Sequence, residues 1–170
     1  MSIPASDLET AVLDLRLAAA LEFVTGVHAD RTAAAAPLAV EEWPEETAVW
    51  ATVRLPAPVD ARQWVVVPAP LAVLLVNRTW PGLPLEIPMA AHLFGDLVAN
   101  AVCVALAEAD PTAPVCKNTG FAGYGPCPRP TGAVRAAHFS IEGHDVLLGL
   151  ELDEPDLDAL DWDWARDAAN

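Results

Sequence analysis

The stretch Met89 to Glu108 constrains this chain most, because it is apolar nearly all the way round a helix. Leu93, Leu97, Val98, Ala101, Val102 and Ala105 leave no polar face broad enough for open water. A helix of that kind belongs inside a core, so the rest of the chain has to supply layers around it. The most apolar window, Met89 to Leu106, also holds His92, Asp96 and Asn100. Those residues are too costly for a lipid-facing span without a functional reason. With 170 residues, 54% of them hydrophobic, the chain is long enough for a core of its own. The simplest organisation is one domain, 1–170, with a short acidic, tryptophan-containing tail at 153–170.

A second helix is expected at residues 6–24. Ser6 and Glu9 form an S-x-x-E capping box, and Leu8, Val12, Leu15, Ala19 and Phe23 follow at helical spacing. Gly26 is its stop. Residues 29–46 read as a linker, an alanine run followed by "PLAVEEWPEE". "TAVWATVRL" (47–55) alternates Val49, Ala51, Val53 and Leu55 against Trp50, Thr52 and Arg54, the pattern of a half-buried strand. "QWVVV" (63–67) and "LAVLLVN" (71–77) read as two further short strands, with Pro68 and Pro70 breaking the ladder between them. After the apolar helix, residues 116–130, "CKNTGFAGYGPCPRP", read as a long loop. Residues 132–152 read as a C-terminal β-hairpin turning at "EGHD". In the tail, Leu157, Leu160 and Trp164 suit a short amphipathic helix, with Trp162 and Trp164 folding back onto the domain. The fold class expected is α+β: a mostly antiparallel sheet packed by two buried helices, 6–24 and 89–108.

The formal net charge of −15 repels phosphate backbones and anionic lipid headgroups, which sets nucleic acid and membrane surfaces aside as partners. Lys117 is the only lysine, beside eight arginines and 24 acids. Such a surface suits high salt, where like-charge repulsion is screened; a GC-rich genome would leave the same composition. "MSIPASDLET" lacks the basic and apolar regions of a signal peptide. The odd count of three cysteines argues against a disulfide framework. The expected setting is cytoplasmic.

Residues 116–130 hold the densest chemistry. Cys116 stands beside Lys117, whose charge would lower a thiol pKa, and His138 on the following strand would serve as base. Cys116, Cys127, His138 and His144 are four metal-ligand types, but C-x10-C-x10-H-x5-H lacks the short chelate pairs of zinc sites. "TGFAGYG" spaces Gly120, Gly123 and Gly125 as G-x-x-G-x-G, which is not a dinucleotide fingerprint. Trp43, Trp50, Trp64 and Trp80 gather around the expected sheet. They serve the core, or, with Tyr124, line a site for an apolar ligand. The candidate sites are therefore Cys116, Lys117 and His138 for catalysis, and Trp50, Trp64, Trp80 and Tyr124 for ligand binding. The residues name no cofactor.

Residues 71–153 resemble the biotin and lipoate protein ligase family. The likeness rests on the helix "LFGDLVANAVCVALAEAD", the lysine-bearing "VCKNTG", the glycine-led "GAVRAAHFSIE", the strand "DVLLGLELDE" and the upstream "LAVLLVNRTWP". Asn118, Thr119 and Gly120 stand where that family has Trp-Pro-Asn. Its catalytic lysine has no counterpart among Arg129 to Thr131, and its G-R-G-R-x-G loop is missing. The resemblance thus implies a ligase-like fold without the adenylation chemistry. The leading expectation is a non-catalytic or divergent ligase-like binding or accessory protein, taking a small apolar molecule or a partner protein. The alternatives are an acyltransferase or ligase working through the loop 116–130, and a zinc-stabilised assembly protein.

Overall fold

In a computed structural model of the chain, residues 16–55, 61–83, 86–109 and 120–152 are described. They form six strands, three helices and one 3-10 turn. Helix α1 covers 16–25; the strands are β1 (Ala29–Leu38), β2 (Thr47–Arg54), β3 (Ala61–Val67), β4 (Gly120–Pro126), β5 (Ala133–Ile141) and β6 (His144–Leu152). Helices α2 (Ala69–Thr79) and α3 (Ile87–Ala109) separate β3 from β4. The strands make one antiparallel sheet in the order β1-β5-β6-β3-β2-β4. This is the α+β class with an antiparallel sheet that the sequence calls for.

The main core lies between the helices and one face of the sheet. Leu17 and Leu21 of α1, Leu71 and Leu75 of α2, and Phe94, Leu97 and Val98 of α3 meet Val49, Val65, Phe139 and Leu148 of the strands. All are at most 3% exposed, and each such side chain contributes about 1.5–3 kcal/mol on leaving water. Helix α3 is long and apolar enough to cross a membrane by length and composition, yet half of its apolar window is buried within the protein. His92 and Asn100 are exposed and Asp96 is half-buried.

Three segments depart from expectation. Residues 29–46 are no linker: β1 runs along β5, from Ala29 opposite Ile141 to Leu38 opposite Val134. An alanine run has no strand signal of its own, and the free edge of β5 supplies the pairing. Residues 71–77 are not a strand but the middle of α2. Pro68 is its N-cap, and a second proline falls in its first turn, where a missing N–H costs nothing. A seven-residue apolar run does not reveal its period; here Leu71, Ala72, Leu75 and Val76 are buried, one helical face. Finally, the long loop contains β4, which pairs residue for residue with β2 from Thr47–Pro126 to Val53–Gly120.

Three further expectations that fall on described residues fit closely. The part of helix 6–24 that is described is helical through residue 25, and Gly26 follows at φ 69° with its N–H on the Glu22 carbonyl. The helix expected at 89–108 is α3. The hairpin expected at 132–152 is β5–β6, closed by Glu142 and Gly143 at φ 52° and 77°, the two positive values a type I′ turn requires. The tail 153–170 lies outside the described residues.

Candidate functional site on the helix-free face

The three described helices pack on one side of the sheet, and none of them covers the other. Antiparallel partners directly opposite share a face, which lets the register lay that side out in rows. One row runs Arg54, Arg62, Glu151, Val134, Leu38. The next runs Phe121, Thr52, Trp64, Gly149, Ala136, Ala36, and a third Gly123, Trp50, Val66, Leu147, His138, Ala33. Half of this side is closed by a small second core of Trp43, Ala48, Trp64, Val66, Cys127, Val134, Ala136 and Leu147.

Trp64 is the hub. Its ring meets Trp43 edge-on at 5.3 Å between centroids and Trp50 at 6.3 Å, tilted by 50°. The indoles find room because glycine stands opposite them. A methyl added to Gly123 would lie 2.7 Å from Cζ2 of Trp50. That is the structural use of one glycine in "TGFAGYG", and it has nothing to do with phosphate. Trp43 Nε1 donates to the Pro128 carbonyl at 3.0 Å, tying the segment after β4 down over the sheet.

Glu151 is the polar counterpart of this cluster. It is 1% exposed, yet both carboxylate oxygens are used. Oε2 accepts from Trp64 Nε1 at 2.7 Å; Oε1 accepts from the Thr131 and Gly132 N–H groups at 2.7 and 3.0 Å and from the Thr131 hydroxyl at 3.1 Å. Burial by itself raises the carboxyl pKa, but the four donors together bring it below the usual glutamate range. Glu151 thus fixes the turn that leads into β5.

Those expected site residues that are described fall in several places. Cys116 and Lys117 lie outside the described residues. His138 is half-buried on the helix-free face, while His144 opens β6 opposite Ile141. Cys127 is buried in the second core, where loss of water pushes its thiol up to about 11, a shift the Trp43 contact only partly offsets. Among the described residues no group of three or more His, Cys, Asp or Glu could hold a metal ion. Trp50 and Trp64 do meet. Trp80 packs instead against the helix-side core, and Tyr124 pairs with Val49 on that same side. The cavity among Leu17, Leu55, Gln63, Val102, Ala105 and Leu106 offers about 10 Å³, room for one water, so it does not support a small apolar ligand.

Sequence reasoning missed the partners that make this face distinctive. Arg62 lay one residue ahead of the strand drawn from "QWVVV", and Phe121 sat in a segment read as loop. The alternation of β2 did put Trp50, Thr52 and Arg54 on one side.

No known family pattern matches the sequence, and neither does any curated protein. Solved structures do match. The chemotaxis protein CheX from Desulfovibrio desulfuricans aligns at a TM-score of 0.56 and 10% identity, over 89% of this chain and 100% of that one. FliY from Thermotoga maritima aligns at 0.53 and 12%, over 99% and 96%, and a CheC-like superfamily protein from Shewanella sp. PV-4 at 0.53 and 9%, over 89% and 98%. These matches overturn the resemblance to biotin and lipoate ligases and with it the ligase-like binding protein, and they lend no support to the loop-116–130 enzyme or the zinc-stabilised assembly protein. The ligase likeness required a strand at "LAVLLVN", where the chain forms α2, and a loop through residues that form β4. The fold is similar to that of the CheC-like chemotaxis proteins.

Proposed function

We propose that this chain is a protein-binding domain of the chemotaxis or flagellar-switch kind, acting in the cytoplasm. One observation carries the reading: the likeness spans the whole of the solved CheX chain and nearly all of the solved FliY chain. The partners are proteins, in keeping with a sheet that leaves aromatic and basic groups on an open face. Deleting the gene in its own organism and scoring spread in soft agar tests the proposal. The expected result is altered spreading with an unchanged growth rate, restored by the gene in trans. Wild-type spreading, together with no retention of the host's chemotaxis or motor proteins on the immobilised chain, would reject it.

A further inference from the structure

The sheet ends in β4, whose outer edge meets no other strand among the described residues. Such an edge offers unpaired N–H and C=O groups, and proteins ordinarily blunt it with charges, proline or irregular pairing. The opposite edge, β1, carries Asp30, Arg31, Pro37 and two register shifts. β4 reads Gly-Phe-Ala-Gly-Tyr-Gly-Pro, without a charge, and its proline comes last. Both of its large side chains stand in water. Phe121 is 72% exposed on the helix-free face, and Tyr124 is 46% exposed on the helix side. The strand is also complementary to itself. Antiparallel pairing of two β4 strands about Gly123 sets Phe121 opposite Gly125, Tyr124 opposite Ala122 and Gly123 opposite its own copy. Each ring then lies over a residue with little or no side chain, so an aromatic covers the backbone that an edge glycine leaves bare. Gly125 has the room. It holds φ 141°, a conformation that side chains rarely adopt, and a methyl placed there would meet nothing within 4 Å. Neighbouring registers fit worse. Centring on Ala122 sets Phe121 on Gly123, whose side-chain space Trp50 already fills. Centring on Tyr124 sets the two tyrosines directly against each other.

We infer that β4 is a pairing edge for a second copy of this chain, and that two copies join about Gly123 into a two-fold dimer with one continuous sheet. Residues directly opposite share a face, so the helices of both copies stay on the same side. Phe121 of each copy covers Gly125 of the other, one place along the strand from the Trp50 ring that lies against Gly123. The ladder of backbone hydrogen bonds runs on across the axis. A two-fold contact of this kind is closed: it uses up both β4 edges and recruits no third chain. The charge of −15 on each copy opposes the contact at long range, but none of it lies on β4. Salt that screens the charge therefore favours the pair. The dimer does not depend on the chemotaxis or flagellar-switch reading.

Sedimentation equilibrium of the purified full chain tests it, in about 1 M KCl, where a screening length of about 3 Å removes most of the repulsion between copies. The expected result is a concentration-dependent monomer–dimer equilibrium. Phe121→Lys should weaken the association constant by about tenfold or more, although it lowers the net negative charge. Phe23→Lys makes the same change of charge at a ring 81% exposed on α1 and should leave the constant unweakened. Tyr124→Lys, on the other face of β4, repeats the test, and circular dichroism melts confirm that each variant folds. The contact itself is located by photo-crosslinking. A mixture of ordinary and ¹⁵N-labelled chains, each with p-benzoylphenylalanine in place of Tyr124, is irradiated and digested. The expected product joins a light and a heavy chain, with the attachment on β4 or α3 of the other copy. A monomer at every concentration overturns the inference. So does a dimer indifferent to both lysine changes on β4, or a mixed adduct placed anywhere else.

Discussion

Two buried side chains on the helix-free face make opposite uses of desolvation. Glu151 stays charged because four donors replace the water it loses. Its carboxyl is depressed, so its contribution is complete above the ordinary glutamate pKa of about 4.3 and disappears as pH falls through the lower folded value. Glu151→Gln keeps the shape but places an amide N–H₂ where donors already point. The variant should lose about 2 kcal/mol in urea melts at neutral pH, and the gap to wild type should narrow below about pH 4. A gap that is constant with pH would show that the carboxylate charge is not what matters. Cys127 has only the Trp43 contact to set against desolvation, and burial keeps it a thiol with a pKa of about 11. Iodoacetamide should label it on the order of a hundredfold more slowly than a free thiol in native buffer, and at the free rate in guanidinium. Rapid native labelling would mean that the segment over the sheet opens readily.

At the scale of elements, α3 comes close to β4 at Gly95. A methyl on Gly95 would lie 2.5 Å from Cβ of Ala122, far inside contact distance. Gly95→Ala should therefore destabilise by about 1–3 kcal/mol through overpacking, despite the gain of about 1 kcal/mol that alanine brings to a helix interior. An unchanged or higher urea midpoint would show that β4 can move away from α3. The two edges of the sheet also differ. Edge strand β1 is interrupted by register shifts after Arg31 and Ala33 and carries Pro37, features that discourage further pairing. Edge strand β4 is uncharged and brings Phe121 beside Thr52 on the helix-free face. An edge of that kind is readable only once β4 is known to be a strand.

The whole molecule carries −15 on 170 residues, a charge that opposes compactness wherever it is not screened. Raising KCl from about 0.1 M to about 3 M shortens the screening length from about 10 Å to less than 3 Å. The melting temperature should rise by about 5 °C or more; a flat response would assign the acidity to genome composition alone. Sequence by itself determined the elements whose pattern is long enough to show its period. The α3 stripe, the β5–β6 alternation with its Glu142–Gly143 turn, and the β2 alternation were all legible, because each repeats its signal over eight residues or more. Tertiary structure decided the short or bland segments. "LAVLLVN" took the helix that its flanking prolines and the α3 surface allow, while the alanines of β1 and the glycines of β4 became strands because β5 and β2 offered them unpaired N–H and C=O groups. The candidate surface was decided there too. Arg54 and Arg62, or Phe121 and Thr52, become neighbours only through register, and register is set by the long-range pairing of whole strands rather than by any residue's local preference.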